Sequence, residues 1–192
     1  MNELELYLQN LHINVHEDLK DQILAFKKCT FKKGDFIIRE DQIARNIYFI
    51  VKGKIRHFYN IDGKEYTRWV SLKNNFVTAF ASFVHQQPSL ENLECLQDCE
   101  LLAISQEKFQ NIKNTSPQIQ QLWTTSIENE VVGYEYRVYQ LITTDSEKRY
   151  LDFIEKYPHF VMEVPQKYIA SMLGIDPRHL SRIRKNLAQK GK

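Results

Sequence analysis

Hydrophobic and polar positions follow two different periods along this chain, and the change between them divides it into regions. Residues 3–28 show helical spacing and predict two short amphipathic helices. From Thr30 the spacing is that of short strands rich in β-branched and aromatic residues, at residues 36–39, 47–52, 55–59 and 65–70. Glycine-containing turns separate these runs, and Asp62-Gly63 is typical of a two-residue hairpin turn. With a further strand pair predicted near 90–97 and 100–104, the pattern favours a small antiparallel barrel or roll.

Helical spacing returns at Ser105 and extends through the rest of the chain. Residues 116–142 predict one long helix with a single apolar stripe, formed by Ile119, Trp123, Ile127, Val131, Tyr134, Val138 and Leu141. That stripe is long enough to pack on the roll at one end and on a partner helix elsewhere. Gly133 interrupts the segment, and it either permits close helix contact or is simply tolerated. A shorter helix over residues 146–157 ends before Pro158, and a brief extended stretch follows.

The last thirty residues predict two short helices bent around one glycine. The first helix ends at Gly174, because glycine tolerates the positive φ of a tight helix stop. The second begins after Asp176, an N-cap residue, with Pro177 at its first position. The apolar positions are Ile169, Ala170 and Leu173 in the first helix and Leu180, Ile183 and Leu187 in the second, while Arg178, Arg182, Lys185 and Gln189 fall on another face of the second. This is the arrangement of a helix-turn-helix whose polar side faces a DNA groove.

Charge is distributed unevenly along the chain, and this distribution bears on the function of the two terminal helices. Residues 160–192 hold seven lysines and arginines against two acidic residues, and the remaining residues carry −3 because the whole chain is +2. An ordinary helical hairpin with a solvated basic face would explain the basic stripe alone. The coincidence of glycine, cap, proline and stripe on an acidic body favours a nucleic-acid-binding module.

The gross composition indicates a folded protein and excludes several other classes. Forty-three per cent of the 192 residues are hydrophobic, with no run near the ~18 apolar residues that a membrane span needs and no signal-peptide pattern, so we expect a cytoplasmic protein. Three cysteines, Cys29, Cys95 and Cys99, are predicted to be buried thiols, since their spacing fits no disulfide framework, zinc site or iron–sulfur site. The six histidines are scattered. No metal and no cofactor is therefore expected.

Two glycine-anchored runs of the strand region, residues 33–40 (Lys-Gly-Asp-Phe-Ile-Ile-Arg-Glu) and 47–54 (Ile-Tyr-Phe-Ile-Val-Lys-Gly-Lys), precede the long helix and the terminal helix-turn-helix. In this order the chain resembles the cyclic-AMP receptor/fumarate-nitrate regulator (Crp-Fnr) family of bacterial transcription factors, from about residue 5 to 189. The resemblance implies an α+β fold: an N-terminal cyclic-nucleotide-binding-like antiparallel β-roll with flanking helices, a long dimerisation helix and a C-terminal helix-turn-helix. The implied domains are a sensor roll at 1–114, the dimerisation helix at 115–143 and a DNA-binding domain at 144–192.

The chain departs from the family where cyclic nucleotides bind. Members that bind them carry a Phe-Gly-Glu element and, ten residues after its glutamate, an Arg-Ser-Ala run, which supply a carboxylate for the ribose and an arginine for the cyclic phosphate. The matching stretches here are Val77-Thr78-Ala79 and Ser89-Leu90-Glu91. A buried cyclic phosphate without a cationic partner would be strongly disfavoured, so we expect no response to cyclic AMP.

Other effectors of the family leave their own signatures. Cys29 alone cannot supply the N-terminal cysteine cluster of the iron–sulfur branch, and His57, on a predicted strand, fits a partly exposed histidine better than a haem ligand. The residues that could line an effector pocket, or fill it themselves, are Arg56, Tyr66, Arg68, Trp69, Phe80 and Phe83. Many members continue into a β-hairpin wing, whereas this sequence stops at Lys192, so we expect either a short branch or a helix-turn-helix acting alone.

The family's motif assigns roles to the last helix. Arg178, His179 and Arg182 are predicted to contact bases, with Arg182 the first choice for bonding guanine in a bidentate way. Arg178 reads either a base or a phosphate. Lys167, Ser181, Arg184 and Lys185 are predicted phosphate contacts that set register. A dimer would address two half-sites about one helical turn apart, so a palindromic operator is expected.

The leading hypothesis is thus a homodimeric, sequence-specific transcriptional regulator. The expected partners are double-stranded DNA, a second copy of the chain, RNA polymerase and an unknown small-molecule effector, with no membrane. A small-molecule-sensing roll whose helix-turn-helix serves protein contact is the alternative. An enzyme is not expected, because the sequence shows no paired carboxylates, nucleophile–base order, phosphate-binding glycine loop or metal cluster.

Overall fold

The computed structural model describes residues 3–190, and within them eight strands form two four-stranded antiparallel sheets. The first sheet has the order β1-β8-β3-β6 and the second the order β2-β7-β4-β5. The strands are β1 Lys27–Phe31, β2 Phe36–Ile38, β3 Asn46–Lys52, β4 Ile55–Ile61, β5 Lys64–Ser71, β6 Phe76–Val77, β7 Asn92–Cys95 and β8 Cys99–Ser105. This confirms the predicted antiparallel roll.

Nine helices flank or follow the roll within the same residues. Their bounds are α1 Glu3–Asn10, α2 Glu17–Ile23, α3 Phe80–His85, α4 Gln106–Thr115, α5 Pro117–Thr143, α6 Ser146–Lys156, α7 Pro158–Glu163, α8 Gln166–Met172 and α9 Pro177–Lys190. The predicted N-terminal helix pair and the long helix are both present. Ser116 caps the long helix α5, since its hydroxyl accepts from the backbone N–H of Ile119.

The roll has its core between the two sheets, where the apolar runs of the sequence become buried strands. Ile50, Ile55, Leu93 and Leu101 are all fully buried there. Phe49, on the other face of β3, is buried under α1 and α2 instead. Helices therefore cover one sheet, and the second sheet is left to meet the C-terminal helices.

The predicted hairpin at Asp62-Gly63 is confirmed. Ile61 pairs with Lys64, and both turn residues have positive φ, 51° and 80°, as a type I′ turn requires. A register shift interrupts the same hairpin where His57 pairs with Trp69 and Phe58 pairs with Thr67. Arg68 is thus the extra residue of a β-bulge, which redirects its side chain.

Several elements differ from the prediction. The strands near 90–97 and 100–104 exist but lie in different sheets: β7 pairs with β2 and β4, while β8 pairs with β1 and β3. The stretch after Pro158 is not extended, because α7 occupies it. Strands β1 and β6 and helix α3 had no clear sequence pattern, being short or irregularly spaced.

The C-terminal helices share a hydrophobic core with the second sheet. Val70 and Leu72, from β5 and the residue after it, belong to one buried cluster with residues of α6 to α9, including Phe153, Phe160 and Leu180. The helix-turn-helix is therefore packed directly on the roll.

Residues 3–190 contain three free cysteines, of which Cys95 and Cys99 are buried and Cys29 is half-buried. No group of three His, Cys, Asp or Glu side chains in that range could hold a metal ion. None of the described helices is both long and apolar enough to cross a membrane.

Candidate nucleic-acid interface and sensor pocket

The turn between α8 and α9 is built from backbone hydrogen bonds around Gly174. Its N–H donates to the carbonyl of Ser171 (3.1 Å), and the N–H of Ile175 donates to that of Ala170 (2.9 Å), which together form a Schellman motif. Gly174 has φ +63°, and a Cβ there would lie 3.2 Å from the side chain of Leu141. The glycine thus serves both the helix stop and the close approach of α5.

Asp176 begins α9 as predicted. Its Oδ1 accepts from the backbone N–H groups of Arg178 (2.8 Å) and His179 (3.2 Å), two of the donors that a helix start leaves without partners. Pro177 occupies the first helical position, where its missing N–H carries no cost. The start of α9 is consequently fixed in direction relative to the turn.

One face of α9 is buried and another is exposed and cationic. Leu180 and Ile183 are buried, and Leu187 packs against the same cluster. The exposed residues of the helix include all the predicted base contacts and most of the phosphate contacts, namely Arg178, His179, Ser181, Arg182, Arg184 and Lys185. Arg178, Arg182, Arg184 and Lys185 take part in no ion pair among the described residues, so these four cations have no carboxylate partner there.

Two further contacts complete this surface. Arg184 donates from Nη1 to Oε1 of Gln166 (2.8 Å), which links α9 to the first turn of α8. Lys167 is exposed at the same end of α8, with its Nζ 4.7 Å from the ring centre of Tyr168. The predicted phosphate contacts Lys167 and Arg184 therefore flank the exposed face of α9.

The six predicted effector-pocket residues do not gather in one place. Phe83 is fully buried in the roll core, and Phe80 stacks on Trp123 of α5 at 6.0 Å between ring centres. Tyr66 is exposed near the tip of the β4–β5 hairpin. Trp69 packs on Phe160 of α7, 5.1 Å away, so it belongs to the contact between roll and C-terminal helices.

The two predicted pocket arginines are held by carboxylates of the roll itself. Arg56 is buried and donates to Glu65 (2.7 Å) and Glu94 (3.4 Å), and its guanidinium lies 4.4 Å from the ring centre of Tyr168. Arg68 donates from Nε and Nη2 to the two carboxylate oxygens of Glu91 (3.0 and 3.3 Å). Such bidentate pairing satisfies a carboxylate and a guanidinium together.

His57 was expected to be partly exposed, and this is wrong: its side chain is buried within the same cluster. Its Nε2 lies 3.0 Å from Oγ of Ser71, and its Nδ1 lies 3.1 Å from Nη2 of Arg68 and 3.6 Å from Glu91. The bulge at Arg68 directs that guanidinium toward the ring, a long-range effect invisible in local sequence. Arg68 also bonds the hydroxyl of Tyr134, which ties the cluster to α5.

Burial sets the protonation of this cluster. It lowers the pKa of His57 below its ordinary value, although Glu91 opposes the shift. Burial also disfavours the ionised form of Glu91, yet the neighbouring His57 and the charge of Arg68 outweigh that and hold its pKa below the ordinary value. The cluster thus contains a neutral imidazole beside a carboxylate–guanidinium pair.

The stretches that replace the cyclic-nucleotide motifs are occupied by internal bonds. Thr78 donates to the carbonyl of Asn46 (2.9 Å), and Ser89 donates to the carbonyl of Glu91 (2.8 Å). Within residues 77–79 and 89–91, Glu91 supplies the one charged side chain, and it is negative and already paired. A cyclic phosphate bound at this position would face the carboxylate of Glu91.

The predicted dimer stripe of α5 divides into two parts. Trp123 and Ile127 are half-buried, Trp123 against Phe109 and Phe80 of the roll side. The later members are exposed apolar side chains: Val131, Tyr134, Val138 and Leu141. The described chain thus leaves the second half of this apolar stripe exposed.

Two residues important to the site were not singled out from the sequence. Glu91 is the carboxylate partner of Arg68. Arg137 of α5 donates to the carbonyls of Arg68 (2.7 Å) and Met172 (2.6 Å), and so bridges the roll to α8. An arginine outside the apolar stripe of a long helix gives no sequence signal for such a bridge, because solvated arginines are common there.

Comparisons with known proteins agree with this architecture. The cyclic nucleotide-binding domain family matches residues 28–116. FixK2 from Bradyrhizobium japonicum has a TM-score of 0.74 at 16% identity, over 86% of this chain and 86% of that one. A CooA mutant from Carboxydothermus hydrogenoformans has a TM-score of 0.76 at 16% identity, over 96% and 85% of the two chains. A protein from Eubacterium rectale, assigned to the Crp/Fnr family of transcriptional regulators, has a TM-score of 0.68 at 17% identity, over 96% and 87%.

A search among curated proteins finds no match to the sequence. The fold that the resemblance implied is nevertheless confirmed. The chain carries a cyclic nucleotide-binding-type roll, and the order of roll, long helix and terminal helices is the fold of Crp-Fnr regulators.

Proposed function

We propose that this chain is a homodimeric, sequence-specific DNA-binding transcriptional regulator of the Crp-Fnr type that does not respond to cyclic AMP. The observation that carries the proposal is the exposed cationic face of α9. The start of this helix is held in place by the Asp176 cap and by the turn at Gly174. Cations without intramolecular carboxylate partners are available for phosphates and base edges.

Base reading is assigned to the first two turns of α9. Arg182 lies one helical turn after Arg178 on the same face, and both are exposed. Arginine in the major groove can bond guanine O6 and N7 together, at about 1–3 kcal/mol of discrimination against other bases. His179 completes the set of base contacts, while Lys167, Ser181, Arg184 and Lys185 bond phosphates and fix register.

Dimerisation is assigned to α5. Val131, Tyr134, Val138 and Leu141 form an exposed apolar stripe at spacings of three and four residues, which a second copy of the same helix would cover. Two copies of α9 would then address a palindromic operator. A DNA-bound dimer of this kind meets RNA polymerase as its further partner.

Insensitivity to cyclic AMP follows from the charge at the roll. Glu91 lies in the segment where family members carry an arginine for the phosphate, and Arg68 is already bonded to it. Binding a cyclic phosphate there would require breaking a buried ion pair and burying two anions together. Micromolar binding of cyclic AMP by calorimetry would contradict this part of the proposal.

The test of DNA reading is selection of bound sequences from a random duplex library, followed by titration of the selected operator. We expect a palindromic consensus and a steep fall of affinity with salt. Arg182→Ala should abolish the preference for the consensus base while the dimer persists in sedimentation.

Arg45→Ala is the matched control, because Arg45 is an exposed arginine of the roll and its loss changes net charge equally. It should leave both preference and affinity unchanged. Unaltered preference in Arg182→Ala would refute the assigned role, and a flat salt response of the parent chain would favour a helix-turn-helix that serves protein contact instead.

A further inference from the structure

A cavity of about 460 Å³ lies where β5, α5, α6 and the end of α8 meet. Volumes of this size are typical of sites for small organic ligands. Its walls include five aromatic side chains, those of Trp69, Tyr134, Tyr136, Phe153 and Tyr157. Of the predicted effector residues, Arg68 and Trp69 line it, so this cavity differs from the pocket expected inside the roll.

The cavity contains a guanidinium without a carboxylate partner. Arg137 donates one hydrogen bond to each of two carbonyls, of Arg68 and Met172, and takes part in no ion pair within residues 3–190. Arginine has five N–H donors, so three make no hydrogen bond within that range. Burial, together with the charge of Arg68, lowers the pKa of Arg137. An anion is the partner that such a group favours.

Other charged groups around the cavity are already engaged or lie at its edge. Lys156 places its Nζ 5.2 Å from the ring centre of Tyr136 and adds a third cation to the wall, after Arg68 and Arg137. Asp152 accepts from Nε2 of Gln140 (2.9 Å), and Glu130 is exposed. Arg137 and Lys156 therefore remain the cations of the wall that have no carboxylate partner among the described residues.

Gly133 faces open space in the wall of the cavity. It lies in the interior of α5, where glycine costs about 0.5–1 kcal/mol relative to alanine, and it lines the cavity. A Cβ at this position would meet no atom within 4 Å, so close packing within the chain does not require glycine there. Of the two sequence interpretations, close helix contact has no support among the described residues.

The cavity and the proposed dimer stripe use different faces of α5. At about 100° per residue, the centre of the stripe lies about 120° around the helix from the cavity side, which includes Gly133, Arg137 and Gln140. Tyr134 is the residue shared by the two sets. A partner helix packed on the stripe would thus leave the cavity side of α5 accessible to a ligand.

We propose that this cavity binds a small aromatic carboxylate, with its ring between the aromatic walls and its carboxylate on Arg137. The site lies at the junction of roll, long helix and helix-turn-helix, and its existence does not depend on DNA binding.

The test is calorimetric titration of the full chain with benzoate and indole-3-carboxylate. Benzamide and indole-3-carboxamide serve as neutral analogues, and inorganic phosphate serves as an anion without a ring. We expect at least one carboxylate to bind more tightly than about 1 mM, its amide to bind at least about tenfold more weakly, and phosphate to show no heat of binding. Absence of carboxylate binding at that level would overturn the proposal.

Two variants locate the site. Gly133→Met should fill the cavity and abolish binding without lowering the melting temperature, because its side chain enters open space. Arg137→Gln should weaken binding at least about tenfold, and Arg45→Gln, at an exposed roll position, should not. Should Arg137→Gln fail to fold, Gly133→Met still tests the location of the site, because it keeps the guanidinium of Arg137. Undiminished binding in Gly133→Met would refute that location. Operator titration of the same samples reports separately on DNA binding.

Discussion

The two cationic regions of this molecule differ in how their charge is compensated. On α9, Arg178, Arg182, Arg184 and Lys185 are exposed and make no ion pair among the described residues, whereas Arg56 and Arg68 in the roll are bonded to Glu65, Glu94 and Glu91. An uncompensated, hydrated cation can exchange its water for a phosphate, but a paired and buried one must first lose its partner. The first region is therefore suited to binding an external anion, and the second is closed to one by the chain itself.

This difference separates the surface proposed to bind DNA from the position in the roll where a cyclic phosphate would bind. A roll of this type that bound a cyclic phosphate would need an unpaired cation at the position of the pair. Here the pair connects β5 to the segment before β7 and, through Tyr134, to α5. The charges that could recognise a ligand hold the roll to the long helix instead.

The largest expected effect comes from breaking the closed region. Glu91→Gln removes the partner of Arg68 and leaves a largely buried guanidinium uncompensated, so the free energy of unfolding should fall by about 3 kcal/mol in urea titration. Glu100→Gln removes an exposed carboxylate 3.7 Å from Lys52 and should change it by less than about 0.5 kcal/mol. Equal losses of unfolding free energy in the two variants would show that the buried pair stabilises the fold no more than an exposed pair does. Arg182→Ala, in the open region, should also leave stability nearly unchanged.

A smaller effect is expected from pH, because His57 in the closed region is buried and its pKa is lowered. The unfolded chain takes up a proton on this histidine below about pH 6.5, whereas the folded chain does not, so stability should fall as pH decreases from 7.5 to 5.5. The expected loss is about 1 kcal/mol. Glu91, whose pKa is also lowered, contributes stability that is lost only at lower pH, below the ordinary carboxyl range.

Urea titrations at several pH values, on the parent chain and on His57→Gln, measure this difference. The variant should lose most of the slope between pH 7.5 and 5.5. The groups facing His57 are Glu91, Arg68 and Ser71. A slope that persists in His57→Gln would assign the pH dependence to other histidines.

The sequence predicted the open region far better than the closed one, for a physical reason. The Gly174 turn, the Asp176 cap and the buried seam of α9 depend on residues within a few positions of each other, and all three are confirmed. The Asp62-Gly63 hairpin was predictable in the same way.

Features that depend on distant partners were missed. The pairing of β7 and β8 with strands of different sheets, and the burial of His57, follow from how the roll closes. The Arg68–Glu91 contact joins residues 23 positions apart through a bulge that has no local signature. The bridge from Arg137 to the carbonyls of Arg68 and Met172 spans 69 and 35 positions. Local periodicity carries no information on such contacts, so the roll's strands were predicted but its internal charges were not.

The smallest predicted effect lies between the two regions, at Gly133 on α5. Gly133→Ala should raise the free energy of unfolding by about 0.5–1 kcal/mol, since alanine is the better helix former and its Cβ meets no atom within 4 Å. Thermal unfolding followed by circular dichroism would measure the gain, and operator affinity should stay unchanged because the substitution touches neither α9 nor the Arg68–Glu91 pair. A destabilised variant would mean that the glycine is needed for close packing, against a second copy of α5, rather than for the open cavity. The sign of this small change therefore distinguishes a cavity that a ligand can enter from a surface that a partner helix covers.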